Sequence, residues 1–153
     1  MEFLILLSFL LFIFGMAKVK GVDIYLKVNT GTEVSPVWTK LGGQSGADFP
    51  RGLSTMDVTD KDSGGDEEHL PGNRNWAVSF DAFLIEDDEG FLEIENAFNA
   101  DPPTQLQFQI ITPGFAYMGK ATVEGLSISA AQDAASVAAF TLKGTKGLTK
   151  TAV

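Results

Sequence analysis

Alternation of apolar and polar residues recurs along the chain and constrains its fold more than any other feature. Residues 76–82 read WAVSFDA, which puts Trp, Val, Phe and Ala on one face of a strand. The same period of two occurs at residues 22–28 and 106–110, and further strands are predicted at residues 121–129 and 136–143. Strands of this kind have one buried and one exposed face, so the sequence predicts six or seven mainly antiparallel strands.

One segment between these strands has the period of a helix. Phe91, Ile94 and Phe98 recur at helical spacing, and either Asp87 or Asp88 precedes them in a position suited to capping. The prolines after Asp101 end the segment, because proline lacks the backbone donor. We therefore predict a helix over about residues 88–100. The fold class is mainly β, an antiparallel β-sandwich or barrel with one flanking helix.

A long polar region separates the first predicted strands from the strand at residue 76. Residues 42–75 are rich in glycine and acidic residues, and only residues 56–59 suggest a strand. Disorder is the simplest interpretation, but Phe49, Leu53, Met56 and Val58 are spaced apolar residues that a plain linker does not need. We predict an extended arm that becomes ordered against a partner.

The N-terminal segment differs from the rest. Residues 3–14 are apolar and are followed by a second methionine, Met16. This run is too short to cross a bilayer of about 30 Å as a helix, and no Lys or Arg precedes it. We predict that residues 1–15 are an upstream start-site extension, with a signal peptide as the alternative, and that residues 16–153 form a single β domain.

Composition excludes several classes of function. The 153 residues carry a formal net charge of −9, which disfavours adhesion to nucleic acid or to anionic membrane surfaces. The chain has no cysteine, so disulfides, thiolate zinc sites and cysteine nucleophiles are excluded. Its one histidine, His69, lies among acidic and turn residues, and there is no G-x-S-x-G stretch. Nothing in the sequence favours an enzyme or requires a cofactor.

The acidic run DKDSGGDEE is the one candidate metal site. Asp60, Asp62 and Asp66 supply oxygen donors in the order that starts an EF-hand loop, and Gly65 falls at the sixth position. Pro71 falls where the bidentate Glu belongs, and no flanking helices are predicted. A solvated charge run is therefore favoured over a cation site.

Several segments, taken in order, carry a family resemblance. They are VDIYLKV, VWTKLGGQSGADFPRG, STMDVTDKDSGG, NWAVSFDAFL and AAFTLKGTKGLT. Their joint order resembles the major tail tube proteins of long, non-contractile-tailed bacteriophages, which also have relatives in prophages, gene-transfer particles and bacteriocins. The alternative is a secreted or surface β-sandwich module that binds carbohydrate or a cation.

The resemblance implies a self-assembling structural subunit in a virion tail, assembled in the host bacterial cytoplasm. It implies homo-hexameric rings that stack into a tube, contacts with tape-measure, terminator and distal tail proteins, passage of DNA without specific binding, and no membrane partner. It gives the arm the role of contacting a neighbouring subunit or ring. The candidate arm contacts are Phe49, Leu53, Met56, Asp57, Val58, Thr59, Lys61 and Asp62.

The net negative charge suggests a further expectation for such a tube. If some acidic residues line the channel, they repel DNA phosphates and prevent adhesion. Acidity that serves solubility alone is the alternative.

Overall fold

The computed structural model describes residues 18–153, so the predictions for residues 1–15 lie outside the described residues. Eight strands and one α-helix, α1, follow a 3-10 turn at Gly21–Asp23. The elements are β1 Tyr25–Asn29, β2 Trp38–Lys40, β3 Gln44–Asp48, β4 Arg51–Asp57, β5 His69–Phe83, α1 Glu89–Asn99, β6 Gln105–Ile111, β7 Phe115–Ser129 and β8 Val137–Ala152.

The strands form one antiparallel sheet in the order β2-β1-β6-β7-β8-β5-β3, and β4 pairs with the first half of β5. The sheet curls into an open half-barrel, and α1 packs on one face of it. The mainly β class with one packed helix is therefore confirmed, and the choice between sandwich and barrel is resolved in favour of a curled half-barrel.

The core lies between α1 and the sheet face that bears the alternating apolar residues. Phe80 and Phe140 are cross-strand partners of β5 and β8, and their rings stack at 4.7 Å between centroids. Phe91 of α1 meets Phe140 edge-on at 5.8 Å, which joins the helix to the sheet. Ile94 of the helix is fully buried in the same cluster.

Asp88 starts the helix, as one of the two predicted caps. Its carboxylate accepts a hydrogen bond from the Phe91 amide at 2.9 Å, and a second from the Gly42 amide at 3.1 Å. An N-cap of this type satisfies a helical donor that otherwise has no partner. Asp88 therefore fixes both the helix and the glycine pair that leads into β3.

The first strand begins later than the sequence predicts. Val22 lies in the 3-10 turn, where the Ile24 amide bonds to the Gly21 carbonyl, and it is 82% exposed. Pairing begins only at Tyr25, and Leu26 and Val28 are the buried residues of β1. In this turn, local hydrogen bonds between residues i and i+3 form instead of strand pairing, although the alternation of apolar and polar residues continues through it.

The last two strands, β7 and β8, are longer than the sequence predicts. The segment GTKGLTK, interpreted as a tail, belongs to β8, which pairs with β7 as far as Ala152. A bulge between Val123 and Gly125 reverses which residues of β7 face the core. Val123 is buried before the bulge, and Leu126, three residues later, also packs on the core.

Candidate assembly surfaces

Both edges of the sheet have an unpaired side. Strand β2 bonds to β1 alone and strand β3 bonds to β5 alone within the described residues. Such an edge presents free backbone N–H and C=O groups, which template the addition of another strand. The half-barrel therefore offers two lateral surfaces through which identical sheets can join.

The Gln44 side chain links the start of β3 to β1 and to the residue after β2 inside the subunit. Its Oε1 accepts a hydrogen bond from the Leu26 amide at 2.8 Å, and its Nε2 donates to the Leu26 carbonyl at 2.8 Å and the Leu41 carbonyl at 2.9 Å. One primary amide thus imitates the paired bonds of a neighbouring strand at Leu26. A groove of about 930 Å³ runs beside this link.

Removal of this amide is expected to weaken the subunit. Gln44→Leu keeps most of the side-chain volume but leaves three hydrogen bonds unmade, so we expect the free energy of unfolding to fall by about 2 kcal/mol. Chemical denaturation measures the change. Gln109→Leu is the matched control, because Gln109 also lies on a strand of the sheet, and equal losses from the two variants would contradict the role assigned to Gln44.

The predicted arm is a β-hairpin, which corrects the expectation of a largely irregular loop over residues 42–75. Strand β4 pairs with the first half of β5 from Trp76 to His69, and β3 also lies within this region. None of residues 51–75 is buried, so the hairpin has no core of its own. The register shifts between Leu53 and Thr55, opposite the part of β5 that contains Pro71.

The hairpin carries an exposed apolar patch. Met56 and Leu70 are cross-strand partners, and Val58, two residues after Met56, points to the same face. Their exposed fractions are 55%, 52% and 40%. We call these three residues the arm patch. Leu53, at 51% exposure, lies on β4 nearer the base of the hairpin.

The other candidate arm contacts lie in different places. Phe49 precedes β4, and its ring packs against Trp76 and Tyr117, with centroid distances of 6.2 Å and 5.6 Å. It belongs to the base on which the hairpin stands. Asp57 ends β4, and the remaining candidates lie in the turn that follows: Thr59, Lys61 and Asp62.

Hydrogen bonds order this turn. Bonds from the hydroxyl and the backbone amide of Thr59 lower the pKa of Asp57 below the ordinary carboxyl value. The Thr59 hydroxyl accepts a bond from the Glu68 amide at 2.9 Å across the turn. Asp60 accepts a bond from the Asp62 amide at 2.8 Å.

The candidate cation ligands have this local role in the turn. The Asp60 carboxylate is occupied by the amide of Asp62 and by the Ser63 hydroxyl, and Asp66 donates its own amide to the Ser63 carbonyl. Across residues 18–153, no three acidic or histidine side chains are grouped so that they could hold a metal ion.

The sheet face opposite α1 is polar and carries both signs of charge. Glutamine, threonine and serine dominate it, because these residues alternate with the buried ones along β5 to β8. Its charged residues are Lys27, Lys40, Lys120, Lys143, Asp48, Asp81 and Glu124. Lys143 lies 3.8 Å from Glu124, and Glu33 reaches Lys120 from the loop after β1. Most of the acidic residues therefore lie elsewhere, in the hairpin turn and around α1.

A family model for phage tail tube proteins matches residues 18–150, which is nearly all of the described chain. The chain belongs to the phage tail tube protein family. It is a structural tail tube subunit and therefore a component of a virion tail, which replaces the alternative of a secreted binding module. No curated protein sequence matches the chain.

Solved structures share the fold of this tail tube subunit at low sequence identity. A chain in the tail of an empty gene transfer agent (GTA) particle, solved with C6 symmetry, superimposes with a TM-score of 0.76 at 20% identity, covering 88% of this chain and 99% of that one. The SPP1 tail tube gives a TM-score of 0.72 at 15% identity, with 89% and 80% covered. A sheath–tube complex of an extracellular contractile injection system gives 0.64 at 10%, with 90% and 94% covered.

Two features of the tail tube subunit were missed at the sequence level. The role of Gln44 depends on Leu26, 18 residues away, and no local pattern indicates it. The lysine residues of the polar face were hidden by the strong net acidity, although the alternation within each strand does place them there.

None of the helices within residues 18–153 has the length and apolarity to cross a membrane.

Proposed function

We propose that six copies of the subunit join edge to edge into a ring and that rings stack into a tube that conducts DNA. One observation carries this: a curled sheet with both edges unpaired, covered by a helix on one face and polar on the other. Joining β2 of one copy to β3 of the next continues the curvature until the ring closes. The C6 symmetry of the related gene transfer agent tail supports the number six.

The hairpin arm is proposed to reach a neighbouring subunit or ring. The arm patch exposes three apolar side chains on a two-stranded ribbon, and none of the hairpin residues 51–75 is buried. A two-stranded ribbon is marginally stable by itself in water, and a partner surface that buries the patch would stabilise it.

The polar sheet face is proposed to line the channel. It carries four lysines against Asp48, Asp81 and Glu124, and the side chain of Glu33 reaches it from the loop after β1, so its charge is close to balanced. This changes the expectation of a channel wall with net negative charge. A wall of amide and hydroxyl groups with paired charges neither binds phosphates tightly nor repels them strongly.

The remaining partners follow from the proposed tube. Its two ends would contact tape-measure, terminator and distal tail proteins, and assembly would take place in the host bacterial cytoplasm. A related chain in a contractile injection system comes from a structure described as a sheath/tube terminator in the extended state. We also propose that residues 1–15 are not needed for assembly.

Native mass spectrometry tests the ring. We expect a species of six chains to grow with protein concentration, both for the full chain and for a chain that begins at Met16. A monomer that persists at the highest concentration in both samples would contradict the proposal. Assembly of the shorter chain alone would show instead that residues 1–15 interfere with ring formation.

A further inference from the structure

The two ends of the sheet differ in chemistry, and the strands connect them directly. Strand β7 runs from Phe115 to Ser129, and its register with β8 places Lys150 beside Tyr117 at one end and Val137 beside Ser129 at the other. Fifteen residues at 3.2–3.4 Å each separate the ends by about 45–50 Å along the strand.

The first end bears an aromatic and basic cluster where the strands of the sheet end, and the hairpin projects beyond this cluster to its acidic turn. The guanidinium of Arg51 lies 4.9 Å from the Tyr117 ring centroid and 5.2 Å from that of Phe49. The ammonium of Lys150 lies 4.3 Å from the Phe115 centroid. These rings also contact one another, with Phe115 and Tyr117 at 5.2 Å. We call these five residues the basic end.

Within the part of the chain that the structure describes, the two cations of the basic end have no acidic ion-pair partner. The ion pairs among residues 18–153 use Lys120, Lys143 and His69, and none uses Arg51 or Lys150. Both side chains are exposed, yet they are held over aromatic rings. A cation held in this way has already lost part of its conformational freedom, so a second partner orders it at lower entropic cost.

The opposite end is acidic. Glu86, Asp87 and Glu89 follow β5 and are exposed, whereas the adjacent Asp88 is occupied as the helix cap. The Leu84 amide bonds to the Ser136 carbonyl, which holds this segment against the turn between β7 and β8, where Asp133 lies. No Lys or Arg occurs between residues 75 and 119. We call Glu86, Asp87, Glu89 and Asp133 the acidic end.

We propose that the basic end of one subunit binds the acidic end of a second copy of this chain in the next ring. The inference rests on the proposed tube, in which the sheet edges are used within a ring and the strand ends are left to face the neighbouring rings. A contact between two different surfaces of identical subunits propagates along an axis without closing. Opposite charges at the two ends fix the polarity of stacking, because two like ends repel each other.

Charge reversal tests the contact. R51E/K150E gives a subunit with two acidic ends, and E86K/D87K gives one with two basic ends. For each variant alone, we expect native mass spectrometry to show hexameric rings. We expect the amount of sedimentable tube to fall at least about tenfold, because like charges then face each other between rings. The matched control K27E/K143E makes the same charge change as R51E/K150E on the polar face between the ends, and its tubes are expected to form.

Mixing the two variants separates electrostatic pairing from misfolding. Their rings have complementary ends, so an equimolar mixture is expected to recover tubes of alternating rings. The inference is overturned if either reversed variant forms tubes as the unmodified chain does, or if both form rings but the mixture yields no tubes. Absence of rings and tubes from the unmodified chain would contradict the proposed function instead. If one variant does not fold, tube formation by the other at the unmodified level overturns the inference by itself.

Discussion

Replacing Met56 and Leu70 with glutamate is expected to abolish tube formation and leave the folded subunit intact. Both side chains are about half exposed in the isolated subunit, and they are partners across the hairpin. Glutamates there remain hydrated in the monomer but repel each other across the hairpin, so the free energy of unfolding should fall by no more than about 1 kcal/mol.

The same two charges become costly when a neighbouring subunit covers the arm patch. An unpaired charge buried in an interface costs about 3–5 kcal/mol, and the proposed ring repeats the contact six times. We therefore expect no sedimentable tube at concentrations where the unmodified chain assembles completely. Electron microscopy and sedimentation of the M56E/L70E variant measure this loss.

A variant on the same hairpin supplies the control. T55E/H69E adds the same two side chains to β4 and β5 but leaves the arm patch unchanged. Tubes are expected from this control. Normal tubes from M56E/L70E, with its monomer stability unchanged, would show that the arm patch is not an assembly contact.

Trp76→Ala is expected to cause the largest loss of subunit stability, about 3–5 kcal/mol. The indole lies against β8, where it donates a hydrogen bond to the Lys146 carbonyl at 2.9 Å. It is 7% exposed and stands where β5 leaves the sheet to pair with β4. Thermal or chemical unfolding measures the loss, and the hairpin is expected to lose its fixed position on the sheet.

Gly144 makes room for this indole. A Cβ atom at residue 144 would overlap the Trp76 ring, so Gly144→Ala must displace the ring, at a cost of about 1–3 kcal/mol. On the same strand, a Cβ at Gly147 meets nothing within 4 Å, and Gly147→Ala is the matched control. The two strand positions therefore separate a steric clash from the general effect of replacing glycine.

A double-mutant cycle tests whether the clash is with Trp76. In the W76A background the ring is absent, so Gly144→Ala should lose most of its cost. An equal cost of Gly144→Ala with and without the indole would contradict the contact.

The sequence predicts those elements whose side chains alternate into a core. The face formed by Trp76, Val78, Phe80 and Ala82 is buried as the alternation indicates, and Leu106 and Phe108 are buried in the same way. The helical spacing of Phe91 and Ile94 places α1 against the sheet because the same residues fill the core.

Elements held mainly by backbone pairing leave no such pattern. Strand β4 is exposed throughout, so its pairing with β5 gives no apolar period to detect. The end of β8 is similar, since Leu148 is its one partly buried apolar residue. Composition also does not predict where the charges lie, because a net charge of −9 does not reveal that one face of the sheet carries as many lysines as acidic residues.

Cryo-electron microscopy of tubes assembled from the purified chain measures the architecture itself. We expect stacked rings with six subunits, β2 of each copy bonded to β3 of the next, and the polar face lining the channel. The hairpin should be ordered against a neighbouring copy. Rings closed by another surface, or a channel lined by α1, would contradict the proposed tube.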